Sequence, residues 1–488
     1  MSHTPTPEQQ AIIDESRSST SNLMVNALAG AAKTTTLVMI AEALHSQEFL
    51  TLAFNKRIQL EMQERLPSNC TALTLNSLGH RAWGSFLRKR LTLDSNKMYR
   101  LLDNWIKENI DDDEREDFYA LEYDDLYQAL KSVRTAGWVP DSYRHALPHK
   151  RLMDDDELRE WLDFEPTNLQ WSALVKIISL SITQAFSGYI DYDDQIYMPT
   201  LFPASFPRYQ NVMIDEAQDL SALNHAMLRK MLQGARLFAV GDPYQAIYGF
   251  RGAHENSMSL MREEFDMHEL GLSISFRCPI AIVKEARWRA PHMEYPEWAK
   301  TGSVKRLESW TSIDIPEDAA IICRNNAPLF NMAIKLIKAG RHVEVVGNDL
   351  SKRFVKILES LGDPDMPKEQ LLLAIESWAA KELARGKKMA RVKDMEDCLR
   401  SFALNAETLG ACITTVKKIF SAQGPLKLMT GHKAKGLEYH DVFILDRELL
   451  DLQQGSQDRN LLYVMQTRAM NNLTYITTGG FIDGASDE

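Results

Sequence analysis

Short apolar runs bounded by turn residues recur along the first part of the chain: SNLMVNAL, EFLTLAF, CTALTL, YQNVMIDE and ARLFAVGD. Several are separated by amphipathic stretches of helical period, as at 34–45 and 220–232. Buried strands that alternate with helices predict a parallel sheet with helices on its faces. The rhythm returns in DAAIICRN and GRHVEVVG, and again in LKLMTG, YHDVFILD and LTYITT. Two stretches break it, 81–207 and 347–420, and both read as mainly helical. The pattern predicts an α/β protein with two parallel-sheet domains, each carrying a helical insertion. The first domain takes 1–80 and 208–272 around the insertion 81–207. The second takes 273–346 and 421–488 around the shorter insertion 347–420.

The first apolar run opens into VNALAGAAKTTTL, residues 25–37. Strand, loop and helix in this order form the setting of a phosphate-binding loop, where the free N–H groups and positive dipole end of a helix face an anion. Lys33 would reach the β and γ phosphates and the Thr34 hydroxyl would sit on Mg²⁺. Ala29, Gly30, Ala31, Ala32 and Thr35 complete the loop. The usual spacing has glycine at the positions held here by Ala27 and Ala32. Alone, the motif is weak, and a strand-to-helix turn rich in small residues explains it better. Alanine at 32 costs on the order of 1 kcal/mol if the turn needs a positive φ. It costs almost nothing if the helix has already begun, and the expectation is a right-handed or only mildly strained Ala32.

A second motif changes the weight of the first. NVMIDEAQD places Asp215 and Glu216 at the end of an apolar strand. Adjacent carboxylates there suit a division of labour, Asp215 holding Mg²⁺ and Glu216 orienting and deprotonating an attacking water. A third strand, in RLFAVGDPYQAIYGFRGA, ends at Gly241-Asp242. Gln245 follows, where an amide could sense a γ-phosphate. The same segment carries Tyr244, Tyr248, Phe250 and Arg251, with Gly249 and Gly252 favouring a loop, and aromatics with a guanidinium on a loop suit stacking of single-stranded bases.

At this point the set resembles superfamily 1 DNA helicases of the UvrD/Rep type. IDEAQD with VGDPYQAIYGFRGA carries most of the resemblance, and further segments follow in family order. TPEQQAII is similar to the N-terminal glutamine motif, with Gln9 the first candidate for adenine recognition and Gln10 the alternative. LAFNKRIQLEM resembles a segment in which Phe54, Asn55 and Lys56 would face DNA. TALTLNSLGHRAWG resembles the next, with Thr74 on DNA and Asn76 where the family often has histidine. In LSISFRCP, Arg277 would contact the γ-phosphate and Phe276 would stack near the adenine. In LMTGHKAKGLEYHDVFIL, Thr430 and His432 would touch the DNA backbone, while Gly436 and Glu438 would lie near the nucleotide. In DRNLLYVMQTRA, Arg468 would be an arginine finger. The wording of HKAKGLE, FNK, SFRCP and IDYDDQIYMP is most similar to F-box DNA helicases and compact phage-encoded UvrD-like helicases.

The resemblance implies two RecA-like domains of the P-loop NTPase type facing each other across one ATP, with Mg²⁺ as the metal. It implies ATP hydrolysis stimulated by DNA, 3′-to-5′ movement on single strands and unwinding of duplexes. Two other outcomes stay open: a translocase that strips proteins without strong unwinding, and a DNA-binding module that no longer turns over ATP. The implied partners are single-stranded DNA and duplex junctions without sequence preference, together with replication or recombination proteins.

The bulk numbers narrow this only a little. The formal net charge is −11 and the pI about 5.7, which argues against a surface coated in phosphate-binding charge but averages over domains. Basic residues do cluster at Arg88, Lys89 and Arg90 and along KELARGKKMARVK, 381–393; duplex contact and a solvated helix face fit these equally. Acid runs at 111–125 and 154–157 read as solvated faces. The cysteines are odd in number and form no C-x-x-C pair, so neither a disulfide framework nor a zinc cluster is expected. His145 and His149 lack a third ligand nearby, so no metal is assigned to them. No secretory leader or membrane-spanning run is read, and a reducing cytoplasm is the expected location.

Overall fold

The computed structural model describes residues 4–53, 55–162, 164–247, 257–347 and 349–482. The chain forms two compact units, 1–272 and 273–488.

The first unit is built on six parallel strands: β1 (Asn22–Ala27), β2 (Phe49–Ala53), β3 (Cys70–Thr74), β6 (Asn211–Ile214), β7 (Arg236–Gly241) and β8 (Met267–Leu272), in the order β3-β2-β6-β7-β1-β8. Every residue of β2 and β6 is buried, as expected of strands covered on both faces. Alternation along β1 feeds two cores. Leu23 and Val25 pack with Ile12, Leu37, Ile40 and Phe238 on one face, while Met24 packs with Leu50, Val212, Met227 and Leu237 on the other. Each such side chain contributes about 1.5–3 kcal/mol by leaving water.

The helix Leu75–Leu87 starts directly at the end of β3, capped by the Thr74 hydroxyl, and leads into the helical insertion. A Cβ at Gly79 of this helix would stand 1.8 Å from the Gln195 carbonyl oxygen, so only glycine allows the helix Asp194–Leu201 to cross so closely. The insertion has its own core around Trp83, Trp105, Trp138 and Phe202, together with a two-stranded pair of β4 (Thr92–Leu93) and β5 (Tyr189–Ile190).

The second unit has six parallel strands: β9 (Ser303–Arg306), β10 (Ala320–Cys323), β11 (Val343–Val345), β12 (Leu426–Thr430), β13 (Tyr439–Leu445) and β14 (Ala469–Ile476), ordered β11-β12-β10-β13-β14-β9. The helices of 347–420 do not form a separate core. Phe330, on the helix Asn326–Lys338 that covers the sheet, meets Phe354, Phe402 and Phe420 at ring-centroid distances of 5.5, 5.0 and 5.3 Å. Insertion and sheet share one apolar cluster. Among the described residues, no helix is long and apolar enough to cross a membrane.

Candidate nucleotide site

β7 lies between β1 and β6, so the loops leaving the C-terminal ends of all three open on one edge of the first sheet. In parallel α/β sheets that edge receives ligands. The turn after β1 delivers Lys33 and Thr34 at the start of the helix Lys33–Ala43, β6 delivers Asp215 and Glu216, and β7 delivers Asp242 and Gln245. Lys33 Nζ donates to Glu216 Oε2 at 2.7 Å, and Thr34 Oγ1 donates to Asp215 Oδ2 at 3.0 Å. Gln245 Nε2 donates to Asp242 Oδ2 at 2.7 Å.

The charges in this pocket act on each other strongly. Burial pushes the Asp215 carboxyl up, the Glu216 carboxylate pushes it further, and Lys33 and the Thr34 hydroxyl pull it back, leaving it at about 6. Burial likewise raises Asp242. Burial disfavours the Lys33 ammonium, but Glu216, Asp215 and Asp242 together outweigh it and hold the group charged, above its ordinary value. A lysine at a helix N-terminus fits a phosphate. A hydroxyl beside a carboxylate supplies the hard oxygens Mg²⁺ takes when phosphates complete its shell.

Gln218 belongs to this site; the sequence shows it in the D-E-x-Q pattern but assigns it no role. Its Nε2 donates to Glu216 Oε2 at 2.6 Å, and its Oε1 accepts from the Asp242 backbone N–H at 3.1 Å. It thus ties the ends of β6 and β7 together. Gly241 makes room for it, since a Cβ there would lie 2.5 Å from Gln218 Oε1. The signal was present in IDEAQD, two positions after Glu216, but its partner lies 24 positions away.

The expectation for Ala32 is overturned. Its φ is 57° and ψ 42°, in the left-handed region, as is Gly30 at φ 76°. The helix has not begun at Ala32. The residue is the N-cap, and the chain must reverse there: Ala31 N–H bonds back to the Leu28 carbonyl, and the Ala32 carbonyl turns to accept from Thr36 N–H, both at 3.0 Å. A left-handed alanine costs roughly 1–2 kcal/mol. Ala32→Gly relieves that strain and adds about 0.4–1 kcal/mol of unfolded-chain entropy. The variant is therefore expected to be more stable by about 0.5–1 kcal/mol in urea unfolding, and a less stable one contradicts the strain.

The two glutamines of TPEQQAII part company. Gln9 is buried, forms a capping box with Thr6, and donates from Nε2 to Thr36 Oγ1 on the phosphate-loop helix at 3.2 Å. Gln10 is exposed and bonds Asp14. Thr35 accepts from Arg65 Nη2 at 2.9 Å, and Ala29 and Ala31 of the loop are buried.

In the second unit, Glu438 and Arg468 immediately precede Tyr439 and Ala469, which are paired at the N-terminal ends of β13 and β14. Arg277 forms an ion pair with Glu438. Arg468 is 1 % exposed, and its guanidinium bonds the Val464 and Leu437 carbonyls and the Thr467 hydroxyl. Burial, then the neighbouring Arg277, lowers its affinity for the proton to about 10. Phe276 is half-exposed and stacks with Trp298, centroids 6.2 Å apart; the sequence reading did not single out this tryptophan. Gly436 has φ 81°. Thr430 and His432 stand at the other edge of the same sheet, at and just after the C-terminal end of β12.

Of the remaining DNA-facing candidates, Asn55 caps the helix Lys56–Arg65 and Lys56 bonds Gln59 on its exposed face. Thr74 is committed to its cap at Ser77, and Asn76 Nδ2 donates to the Tyr192 carbonyl at 2.7 Å. Phe54, Tyr248, Phe250 and Arg251 lie outside the described residues. Within 381–393, Arg385 and Lys387 are both spent on Glu382.

Residues 6–266 match the family described as UvrD/REP helicase N-terminal domain, and residues 425–474 match the UvrD-like helicase C-terminal domain. Among curated proteins, the chain is 25 % identical to F-box DNA helicase protein 1 of Schizosaccharomyces pombe, over 96 % of this chain and 57 % of that protein. It is 23 % identical to F-box DNA helicase 1 of Gallus gallus, over 95 % of this chain and 48 % of that protein. A shorter stretch, 20 % of this chain and 16 % of the relative, is 32 % identical to the ATP-dependent DNA helicase Rep of Escherichia coli. The chain therefore spans about half the length of the relatives it matches from end to end.

Proposed function

The chain belongs to the UvrD/REP helicase family, and from that premise we propose that it is an ATP-dependent motor that moves on single-stranded DNA and separates duplexes. One observation carries the reading: Lys33–Glu216 and Thr34–Asp215 meet within 2.7 and 3.0 Å across 183 and 181 positions of sequence, which gathers a cation, a hydroxyl and two carboxylates of the kinds a phosphate-transfer site uses. A turn rich in small residues has no reason to gather them.

The roles follow from the chemistry. Mg²⁺, when bound with the nucleotide, would supply positive charge against the charge that develops on the phosphates. Thr34 and Asp215 would hold it, and Lys33 and the loop N–H groups would hold the phosphates. With Lys33 turned to a phosphate, Gln218 still holds the Glu216 carboxylate, which would orient a water and take its proton. Gln245 reads the γ-phosphate, and its bond to Asp242 connects that reading through Gln218 to Glu216. Gln9, fixed to the phosphate-loop helix, is assigned the adenine in preference to Gln10. Arg277 and Arg468 are assigned the charge of the transferring phosphoryl group, and Phe276 the base.

The strain at Ala32 is the one feature that favours a module without turnover, and about 1 kcal/mol is too little to disable an otherwise complete site. The test is unwinding of 3′-tailed and 5′-tailed duplexes with ATP, run beside displacement of streptavidin from a biotinylated strand. Unwinding of the 3′-tailed duplex alone is the expected result. Displacement without unwinding would replace the helicase with a stripping translocase, and no ATP hydrolysis in the presence of DNA would sink both.

A further inference from the structure

Glu216, the proposed base, has φ 55° and ψ 42°. A left-handed conformation in a residue that is not glycine costs of order 1–3 kcal/mol and persists only where the surroundings over-determine it. Part of the restraint lies inside the site, in the bonds of Asp215 Oδ1 to the Glu216 N–H at 2.9 Å and of Gln218 to the carboxylate. The rest comes from behind it. The carbonyl of Ala217, the next residue, accepts from Ser257 Oγ at 2.9 Å, and the same Oγ lies 2.9 Å from His225 Nε2. Ser257 is 1 % and His225 4 % exposed.

The protons in this chain can be placed. A carbonyl only accepts, so the single Ser257 hydroxyl hydrogen goes to Ala217. His225 must then donate from Nε2 to the Ser257 oxygen. Its Nδ1 faces Glu264 Oε2 at 3.9 Å, and Arg229 pairs with that carboxylate. The glutamate, histidine and serine superficially match a hydrolytic triad, but the direction is reversed: Nε2 is a donor rather than a base, and the hydroxyl is spent on a backbone carbonyl in a closed interior. The arrangement holds a peptide in place instead of activating a nucleophile.

We propose that Ser257 and His225 are positioning residues for Glu216: they fix the Ala217 carbonyl and with it the strained turn that aims the carboxylate. The proposal rests on the ATPase reading above. Loss of a group that orients a reacting one costs typically 10–100-fold. The experiment measures phosphate release with saturating single-stranded DNA, equilibrium nucleotide binding, and urea unfolding, for the wild type, Ser257→Ala, His225→Phe and His225→Gln. Ser257→Ala and His225→Phe are expected to lose about 10–100-fold in kcat with KM for ATP and nucleotide affinity within about twofold. His225→Gln keeps an N–H donor and is expected within about threefold of wild-type kcat. Wild-type kcat in Ser257→Ala overturns the proposal, as does a KM that rises in step with the loss. If Ser257→Ala does not fold, the histidine pair decides: Gln active and Phe impaired in kcat alone sustains it, and both alike overturns it. A wild-type protein that hydrolyses no ATP overturns the ATPase reading and this role together, whereas an active wild type with an equally active Ser257→Ala overturns this role only.

Discussion

Glu216→Gln is expected to lower single-strand-stimulated ATP hydrolysis by about 10²–10⁴-fold while leaving nucleotide bound. The substitution keeps the shape of the side chain and removes both its charge and its basicity. A general base contributes that range of rate, and the amide cannot take a proton from water. Binding is expected to persist because the proposed phosphate contacts lie with Lys33, Thr34 and the loop N–H groups rather than with Glu216. Binding should even tighten modestly, since Lys33 no longer has a carboxylate at 2.7 Å competing with the phosphate for its ammonium. Lys33→Ala separates the two functions in the opposite sense: it removes the phosphate contact and is expected to weaken nucleotide binding as well as hydrolysis. Phosphate release and a fluorescent-nucleotide titration on both variants check this. A Glu216→Gln protein that hydrolyses ATP within about threefold of wild type would remove Glu216 from the role of base.

The parts of this site that could be read in the sequence are those whose chemistry is written in residue type and short spacing. Strand-loop-Lys33-Thr34 and an apolar strand ending in Asp215-Glu216 are local patterns, and each predicts the other because a phosphate site needs both. The alternation of strands and helices was equally local, and it placed β1, β6 and β7 before their order in the sheet was known. What could not be read depends on geometry set from a distance. Nothing in an alanine announces φ 57°; Ala32 is left-handed because the chain must reverse between β1 and a helix that starts one residue later. Glu216 is left-handed for a similar reason, held by Gln218, Asp242 and Ser257, the latter two from other elements. The helical stretch 347–420 was legible as helix, but its shared core with the sheet was not, since Phe330 and Phe402 meet only in the fold.

Arg134→Ala is expected to destabilise the first unit by about 3–5 kcal/mol, the largest effect on folding among the substitutions considered, although Arg134 touches no part of the nucleotide site. In the sequence, nothing marks Lys97, Arg134 and the carboxylates of IDYDDQ as partners. In the structure they form a buried network. Lys97 Nζ bonds Asp194 Oδ2 at 2.6 Å and the Ser181 carbonyl at 2.8 Å. Arg134 Nη1 lies 2.6 Å from Asp191 Oδ2, and Nη2 reaches the half-exposed Asp193 at 2.8 Å. Asp191 and Asp194 also accept from each other's backbone N–H. Two buried cations thus balance two buried carboxylates and join four elements of the insertion. Removing the arginine leaves Asp191 and Asp194 to share Lys97 alone, and an uncompensated buried charge is what makes breaking such a pair costly. The sign of the pH dependence follows. Burial works against ionised Asp191, but Arg134 outweighs it and holds the carboxyl below its ordinary value, while burial and Asp191 raise Asp194. Without Arg134 nothing but Lys97 opposes the burial that raises both carboxyls, so the folded variant is expected to bind protons more tightly than the unfolded chain and its stability to rise as pH falls. The deficit against wild type should therefore shrink between about pH 7 and pH 5. Urea unfolding at the two pH values checks this, and a deficit that stays constant or grows on acidification would show that the cost of Arg134→Ala is lost packing rather than stranded charge.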